Sequence, residues 1–141
     1  MEKLQAIAKA EELISKVRTL VLATQGLDGY PSARIMMNAG NKSINPVYFT
    51  CQTGSRKTQE IQKNNKASVY YVAEDNSVNV WLEGEAEVTR DKALREKLWQ
   101  DYSPHVYPEG VDDPRYTVVV FTPRRLRVSM AREVSEFELN G

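Results

Sequence analysis

The sequence predicts a small, mainly β domain with flanking helices, its strands arranged as an antiparallel barrel of six or seven strands. Three observations carry this expectation. About seven short β-rich segments are separated mostly by turn-length connections, while few stretches show helical spacing. No βαβ rhythm and no GxGxxG turn is present, so a doubly wound sheet is unsupported. A glycine also interrupts the longest strand pattern, as a barrel corner requires. The 141 residues are expected to form one domain, 1–141, with 131–141 as a flexible charged tail.

The first element is an amphipathic helix over 3–17, where Leu4, Ile7, Ala8, Ile14 and Val17 recur at helical spacing among Lys, Glu and Gln. Thr19–Thr24 (TLVLAT) is a short strand that runs into the hairpin turn Gln25-Gly26-Leu27-Asp28-Gly29. Pro31 opens a second strand, SARIMMN, with Arg34, Met36 and Asn38 on one face and Ala33, Ile35 and Met37 on the other. A polar loop leads to the strand PVYFT, and a helix follows at about 57–65. Ala67–Val72 is the next strand. A turn at Glu74-Asp75-Asn76 precedes the long strand from Ser77 to about Thr89. There Val78, Val80, Leu82, Gly84, Ala86 and Val88 share one face, and Asn79, Trp81, Glu83, Glu85 and Glu87 the other.

A second helix, DKALREKLW, begins near Thr89 or Asp91, either of which can cap it. Tyr102–Pro114 reads as loop. Tyr116–Thr122 is apolar on both faces and therefore a central strand. Pro123 is expected to break it before a final strand, RLRVSM, with Leu126, Val128 and Met130 inward.

Composition excludes several kinds of protein. Nineteen basic and nineteen acidic residues cancel, so no net field attracts nucleic acid or an anionic membrane, and neither is an expected partner. No apolar run approaches the roughly 20 residues of a membrane span. The N-terminal stretch is too charged for a signal peptide. One cysteine, Cys51, permits no internal disulfide and points to a reducing, cytoplasmic setting. With one histidine, His105, no metal site is expected.

The most informative stretch is Asn45–Lys57, NPVYFTCQTGSRK, a strand with an aromatic pair followed by Gly54-Ser55-Arg56-Lys57 at the mouth of a helix. Free N–H groups of a first helical turn and the helix dipole favour an anion. Ser55 offers a neutral hydrogen bond, Arg56 a forked charged pair, and Lys57 a mobile point charge. A phosphate monoester is the inferred ligand, and Tyr48 and Phe49 suggest that it carries a ring; the competing reading is a solvated basic turn.

Arg34 on a core-like strand requires a partner: either a glutamate in an ion pair or a second phosphate or ring contact. Trp81, on the polar face of the long strand, marks an interface or a ligand wall. Cys51 reads as a small apolar filler and His105 as an exposed loop residue.

In order, TLVLAT, P-SARIMM, NPVYFTCQTGSRK, ASVYYV, VNVWLEGEAEV and DPRYTVVVFTPRRLRV resemble the pyridoxamine 5′-phosphate oxidase-like FMN-binding split barrels, in particular their short general stress proteins, over residues 5 to 130 or so. The resemblance implies a homodimer with two FMN sites at the interface. It implies phosphate contacts from Arg34, Ser55, Arg56 and Lys57, with the backbone at Ile35, Met36 and Met37 along the isoalloxazine edge. Phe49 and Thr50 would lie against the flavin and ribityl chain, and Asn79 and Trp81 would come from the partner subunit.

Two departures stand out. Ala39 occupies the position of a family lysine that contacts the flavin pyrimidine edge, and the C-terminal arginine-and-histidine motif for pyridoxal phosphate is missing. A true pyridoxamine 5′-phosphate oxidase is therefore not expected. The leading expectation is an FMN-dependent oxidoreductase or reductase of a small substrate, its catalytic residues unassigned. The alternative is a non-catalytic flavin- or ligand-binding stress-response module, with a deazaflavin, haem or no cofactor in the same cleft.

Overall fold

Period-two alternation between polar turns gives seven strands, and helical spacing gives four helices, among residues 1–139 that the computed structural model describes. In chain order they are α1 (Lys3–Lys16), β1 (Thr19–Gln25), β2 (Pro31–Met37), β3 (Val47–Gln52), α2 (Arg56–Lys63), β4 (Lys66–Val72), β5 (Val78–Thr89), α3 (Lys92–Lys97), α4 (Ser103–Val106), β6 (Tyr116–Met130) and β7 (Glu133–Glu138). All strand pairs are antiparallel. The sheet order is β2-β1-β4-β5-β6-β3, with β7 also on β6. β2 and β3 end the path without pairing with each other, so the sheet is open.

Register sorts every side chain to one of two faces. Arg34, Leu22, Val69, Leu82, Leu126 and Phe137 form one row across six strands, and its four Leu and Val members are fully buried. The neighbouring row, Ile35, Val21, Tyr70, Trp81, Arg127 and Glu136, lies on the outer face. Helix α1 closes the interior with Ala6, Ala10, Leu13 and Ile14, not with Leu4, which is exposed. The alanines let the helix backbone approach the sheet, and so the buried stripe is shifted from the one that bulk alone suggests.

β5 and β6 bend together. Gly84 faces Pro123, and the register shifts there, leaving Arg124 as an extra residue on β6. A Cβ on Gly84 would stand 2.0 Å from the Thr122 carbonyl oxygen, so only glycine fits this backbone crossing. Pro123 does not break β6 as expected. Lacking an N–H, it sits where the bulge has already interrupted the ladder, and one strand continues from Tyr116 to Met130. Beyond the bulge β7 takes the edge that β3 occupies before it.

The segment expected as a flexible tail, 131–141, is thus corrected over Glu133–Glu138, which pairs with β6 through a two-residue turn. Ala131 and Arg132 both adopt positive φ, 54° and 67°, as a tight hairpin turn of this hand requires. Neither is Gly or Asn, so the turn carries no sequence signal. Asn140 and Gly141 lie outside the described residues. The Tyr102–Pro114 loop contains one short helix, α4, and Asp91 caps α3 by accepting from the Leu94 N–H at 3.0 Å.

Candidate functional site

β2 is an edge strand whose inward residues are Ser32, Arg34 and Met36. Arginine at the end of an apolar row needs a counter-charge, and α2 delivers it. Glu60, on the buried side of that helix, is 0% exposed. Its Oε1 accepts from Thr24 Oγ1 and from Arg34 Nη2, each at 2.7 Å, and its Oε2 accepts from Arg56 Nε at 3.0 Å. Burial opposes ionisation of Glu60. The hydrogen bonds from Thr24, Arg56 and Arg34 and the charge of Arg34 outweigh it, holding the pKa down to about 2.

Arg34 is also tied elsewhere: Nη1 donates to Leu22 O (3.2 Å) and Thr24 Oγ1 (2.8 Å), and Nη2 to Ser32 Oγ (2.7 Å). Thr24 and Ser32 are register partners on β1 and β2, which is why both hydroxyls reach the same guanidinium.

The start of α2 differs from that saturated network. Gly54 takes φ +74°, a left-handed conformation that turns β3 into the helix. Ser55 is the N-cap, yet its side chain makes no capping bond. Its Oγ is buried without a hydrogen-bond partner. A serine here ordinarily accepts from an N–H of the first turn, so both that hydroxyl and the first-turn amides are uncommitted. Arg56, 65% exposed at its side chain, uses only Nε, and half-buried Lys57 makes no ion pair among the described residues. Three cations, Arg34, Arg56 and Lys57, against one carboxylate leave two positive charges beside an orphan hydroxyl.

The structure therefore gathers Arg34, Ser55, Arg56 and Lys57 at one end of α2. Met36 and Phe49 are buried in the core, 8% and 0% exposed, so Phe49 presents no surface to a ligand in the single chain, contrary to the flavin contact expected of it. Ile35 (72% exposed) and Met37 project from the outer face, where Trp81 (39% exposed) and Asn79 also stand. Trp81 packs edge-on against Tyr70 at 5.0 Å and lies under Arg127 at 4.9 Å. Thr50 is half-buried on β3. Within the chain, Trp81 and the α2 cluster belong to opposite faces of the sheet.

Thr24, Ser32 and Glu60 were not identified from sequence. The Arg56–Glu60 spacing of four on a helix was a usable signal; the bond to Arg34 across the fold was not. Burial pushes the Cys51 thiol up to about 11, against the charge of Lys57 and the nearby Ser55 hydroxyl, whose approach to the sulfur does not have hydrogen-bond geometry, so the thiol stays protonated at neutral pH. His105 is exposed, and no group of His, Cys, Asp and Glu among the described residues is arranged to hold a metal ion.

Comparison with known proteins agrees with this architecture. The family description "Pyridoxamine 5'-phosphate oxidase like" matches residues 5–134. Among solved structures, a Clostridium acetobutylicum protein related to general stress protein 26 of B. subtilis is 27% identical, with a TM-score of 0.87 over 98% of this chain and 97% of that one. An FMN-binding, pyridoxamine 5'-phosphate oxidase-related protein of Nostoc punctiforme is 18% identical, with a TM-score of 0.73, covering 100% of this chain and 98% of that one. A heme-binding protein of Mycobacterium smegmatis is 17% identical, with a TM-score of 0.73 over 94% of this chain and 57% of that one. A search of curated proteins found no match. The open antiparallel sheet is the split barrel of these proteins.

Proposed function

The chain belongs to the pyridoxamine 5'-phosphate oxidase like family, and from that premise we propose that it binds FMN at a homodimer interface and serves as a flavin-dependent oxidoreductase of a small substrate. The observation that carries this reading is the N-cap that does not cap. Ser55 Oγ is buried and unpartnered beside free first-turn amides, the unused terminal nitrogens of Arg56 and the ammonium of Lys57. Together they suit a phosphate dianion: Arg56 offers a fork, Lys57 a point charge, Ser55 a hydroxyl, and the helix end a positive dipole. When bound, the flavin supplies hydride or electron transfer, and the polypeptide supplies grip and orientation.

The other half of the reading is the outer face. Ile35, Met37, Val72 and Trp81 are exposed apolar residues on one side of one sheet, as an interface with a second copy requires. Trp81 and Asn79 of one protomer would then complete the site of the other. A single free cysteine, buried in the core, fits a reducing compartment such as the cytoplasm. No helix among the described residues is long and apolar enough to cross a membrane.

A second reading rests on Ala39. It is buried and apolar where the resemblance implies a lysine against the flavin ring. Without that cation the ring is held less firmly, which favours a non-catalytic flavin-binding module, or another planar cofactor such as a deazaflavin or haem.

Absorbance and flavin-fluorescence titrations separate these readings. FMN should bind at least about tenfold more tightly than riboflavin, because charged hydrogen bonds are each worth roughly 1.5–3 kcal/mol, and the protein should sediment as a dimer. Bleaching of the bound flavin by a nicotinamide donor supports the oxidoreductase, and its absence the module. FMN binding no better than riboflavin overturns the site.

A further inference from the structure

This inference rests on the phosphate site proposed above and concerns which arginine meets the ligand. A guanidinium has five N–H donors. On Arg34 all four terminal ones are already spent, on Leu22 O, Thr24 Oγ1, Ser32 Oγ and Glu60 Oε1, at 2.7 to 3.2 Å. Its side chain is 21% exposed, and its charge is matched by a fully buried carboxylate. Arg56 is the reverse case. Glu60 holds it by Nε alone, and its terminal nitrogens remain free at the helix mouth.

We propose that Arg34 is a positioning residue rather than a phosphate ligand. With Glu60, Thr24 and Ser32 it forms an internal strut that fixes Arg56, and Arg56, Lys57 and Ser55 take the anion. Arg34 and Glu60 cancel one another. The charge left for the ligand is that of Arg56 and Lys57, two positive charges against the two negative charges of a phosphate monoester above its second pKa of about 6. The strut thereby matches the site to a dianionic monoester and disfavours uncharged riboflavin.

The direct phosphate contact that the resemblance assigns to Arg34 predicts different behaviour in a double substitution. Arg34→Gln alone leaves Glu60 without its main counter-charge, so the carboxylate draws Arg56 inward and cancels it. Arg34→Gln with Glu60→Gln removes both charges and leaves Arg56 and Lys57 for the ligand.

The test is flavin-fluorescence titration of wild type, Arg34→Gln, Arg34→Gln/Glu60→Gln and Arg56→Gln with FMN and riboflavin, alongside thermal melts in phosphate and in chloride at equal ionic strength. The strut predicts that Arg34→Gln weakens FMN binding about tenfold and that the double substitution recovers most of it, to within about threefold of wild type. It also predicts that Arg56→Gln, which removes one donor to Glu60 and so lowers the melting temperature in chloride less than Arg34→Gln does, loses the preference for FMN over riboflavin and the extra protection by phosphate.

A double variant that binds FMN as weakly as Arg34→Gln, with a wild-type melt, overturns the proposal and returns Arg34 to the phosphate. Should either Arg34 variant fail to fold, Arg56→Gln decides: full retention of the FMN preference overturns the strut. Wild-type protein that responds to neither FMN nor phosphate sinks the site itself, a result distinct from either of these.

Discussion

Two buried carboxylates, Glu60 on α2 and Asp113 in the loop before β6, are both 0% exposed and serve different ends. Asp113 closes on its own neighbourhood. It accepts from the backbone N–H of Glu109 and Arg115 at 3.2 and 2.9 Å and from Arg115 Nε and Nη2 at 3.0 and 2.7 Å. Every donor lies within four residues in sequence, and all the acceptor positions are filled. The Arg115 side chain beside it, with these backbone N–H groups, holds its carboxyl well below the usual range despite burial.

Glu60 instead joins residues 36, 26 and 4 positions away, on β1, β2 and its own helix. Its network ends in donors that are not spent: the Arg56 fork, Lys57 and the Ser55 hydroxyl. A local carboxylate locks a loop. A long-range one assembles separate elements and leaves an outward-facing remainder, and that remainder is what a ligand can use.

The largest effect that sharpens this contrast is expected from Glu60→Ala. It leaves Arg34 in the interior without its counter-charge and cuts the tie between α2 and the β1–β2 edge. Urea unfolding should show a loss of about 3 kcal/mol, together with weakened FMN binding. Asp113→Ala comes next. Arg115 is half-exposed and can turn to water, so the loss of stability should be smaller, with a lower melting temperature and unchanged FMN affinity. A change in FMN affinity there would mean that the Asp113 loop acts on the start of α2 through Thr53, which bonds Arg115 O and Pro114 O, and the distinction between the two carboxylates would fail.

The smallest effect is the acid response. Glu60 has a folded pKa held below its ordinary value of 4.5, so its contribution to stability is complete above that value. The contribution is lost as pH falls towards about 2. Glu60→Gln should therefore unfold with a shallower pH dependence between those limits and the same dependence near neutrality. Parallel acid limbs for the two proteins would show that Glu60 is not ionised in the fold.

Much of this was readable beforehand, for identifiable reasons. The β5 alternation from Val78 to Val88 corresponds to the observed buried face because a strand's period is two and one face meets the core. Gly84 signalled the crossing with β6 because no other residue lacks a Cβ. The cationic cluster at the turn after β3 was legible because Ser55, Arg56 and Lys57 are neighbours in sequence. The buried stripe of α1 was misjudged, since Ala6 and Ala10 are buried for being small, a property that hydropathy understates. β7 was missed because Ala131 and Arg132 carry none of the usual turn chemistry. Its pairing comes from the edge that β6 leaves free beyond the bulge.

By itself, then, the chain's residue order determined the antiparallel strands, their inward and outward faces, the corner at Gly84 and the cationic helix start, because each depends on neighbours within a few positions. Only the tertiary structure decided that Arg34 faces Glu60 and is consumed by it, that Arg56 keeps its fork, and that Ser55 is buried without a partner. Those outcomes depend on which distant groups the folded sheet brings within 3 Å or so, where charge and hydrogen bonding act most strongly.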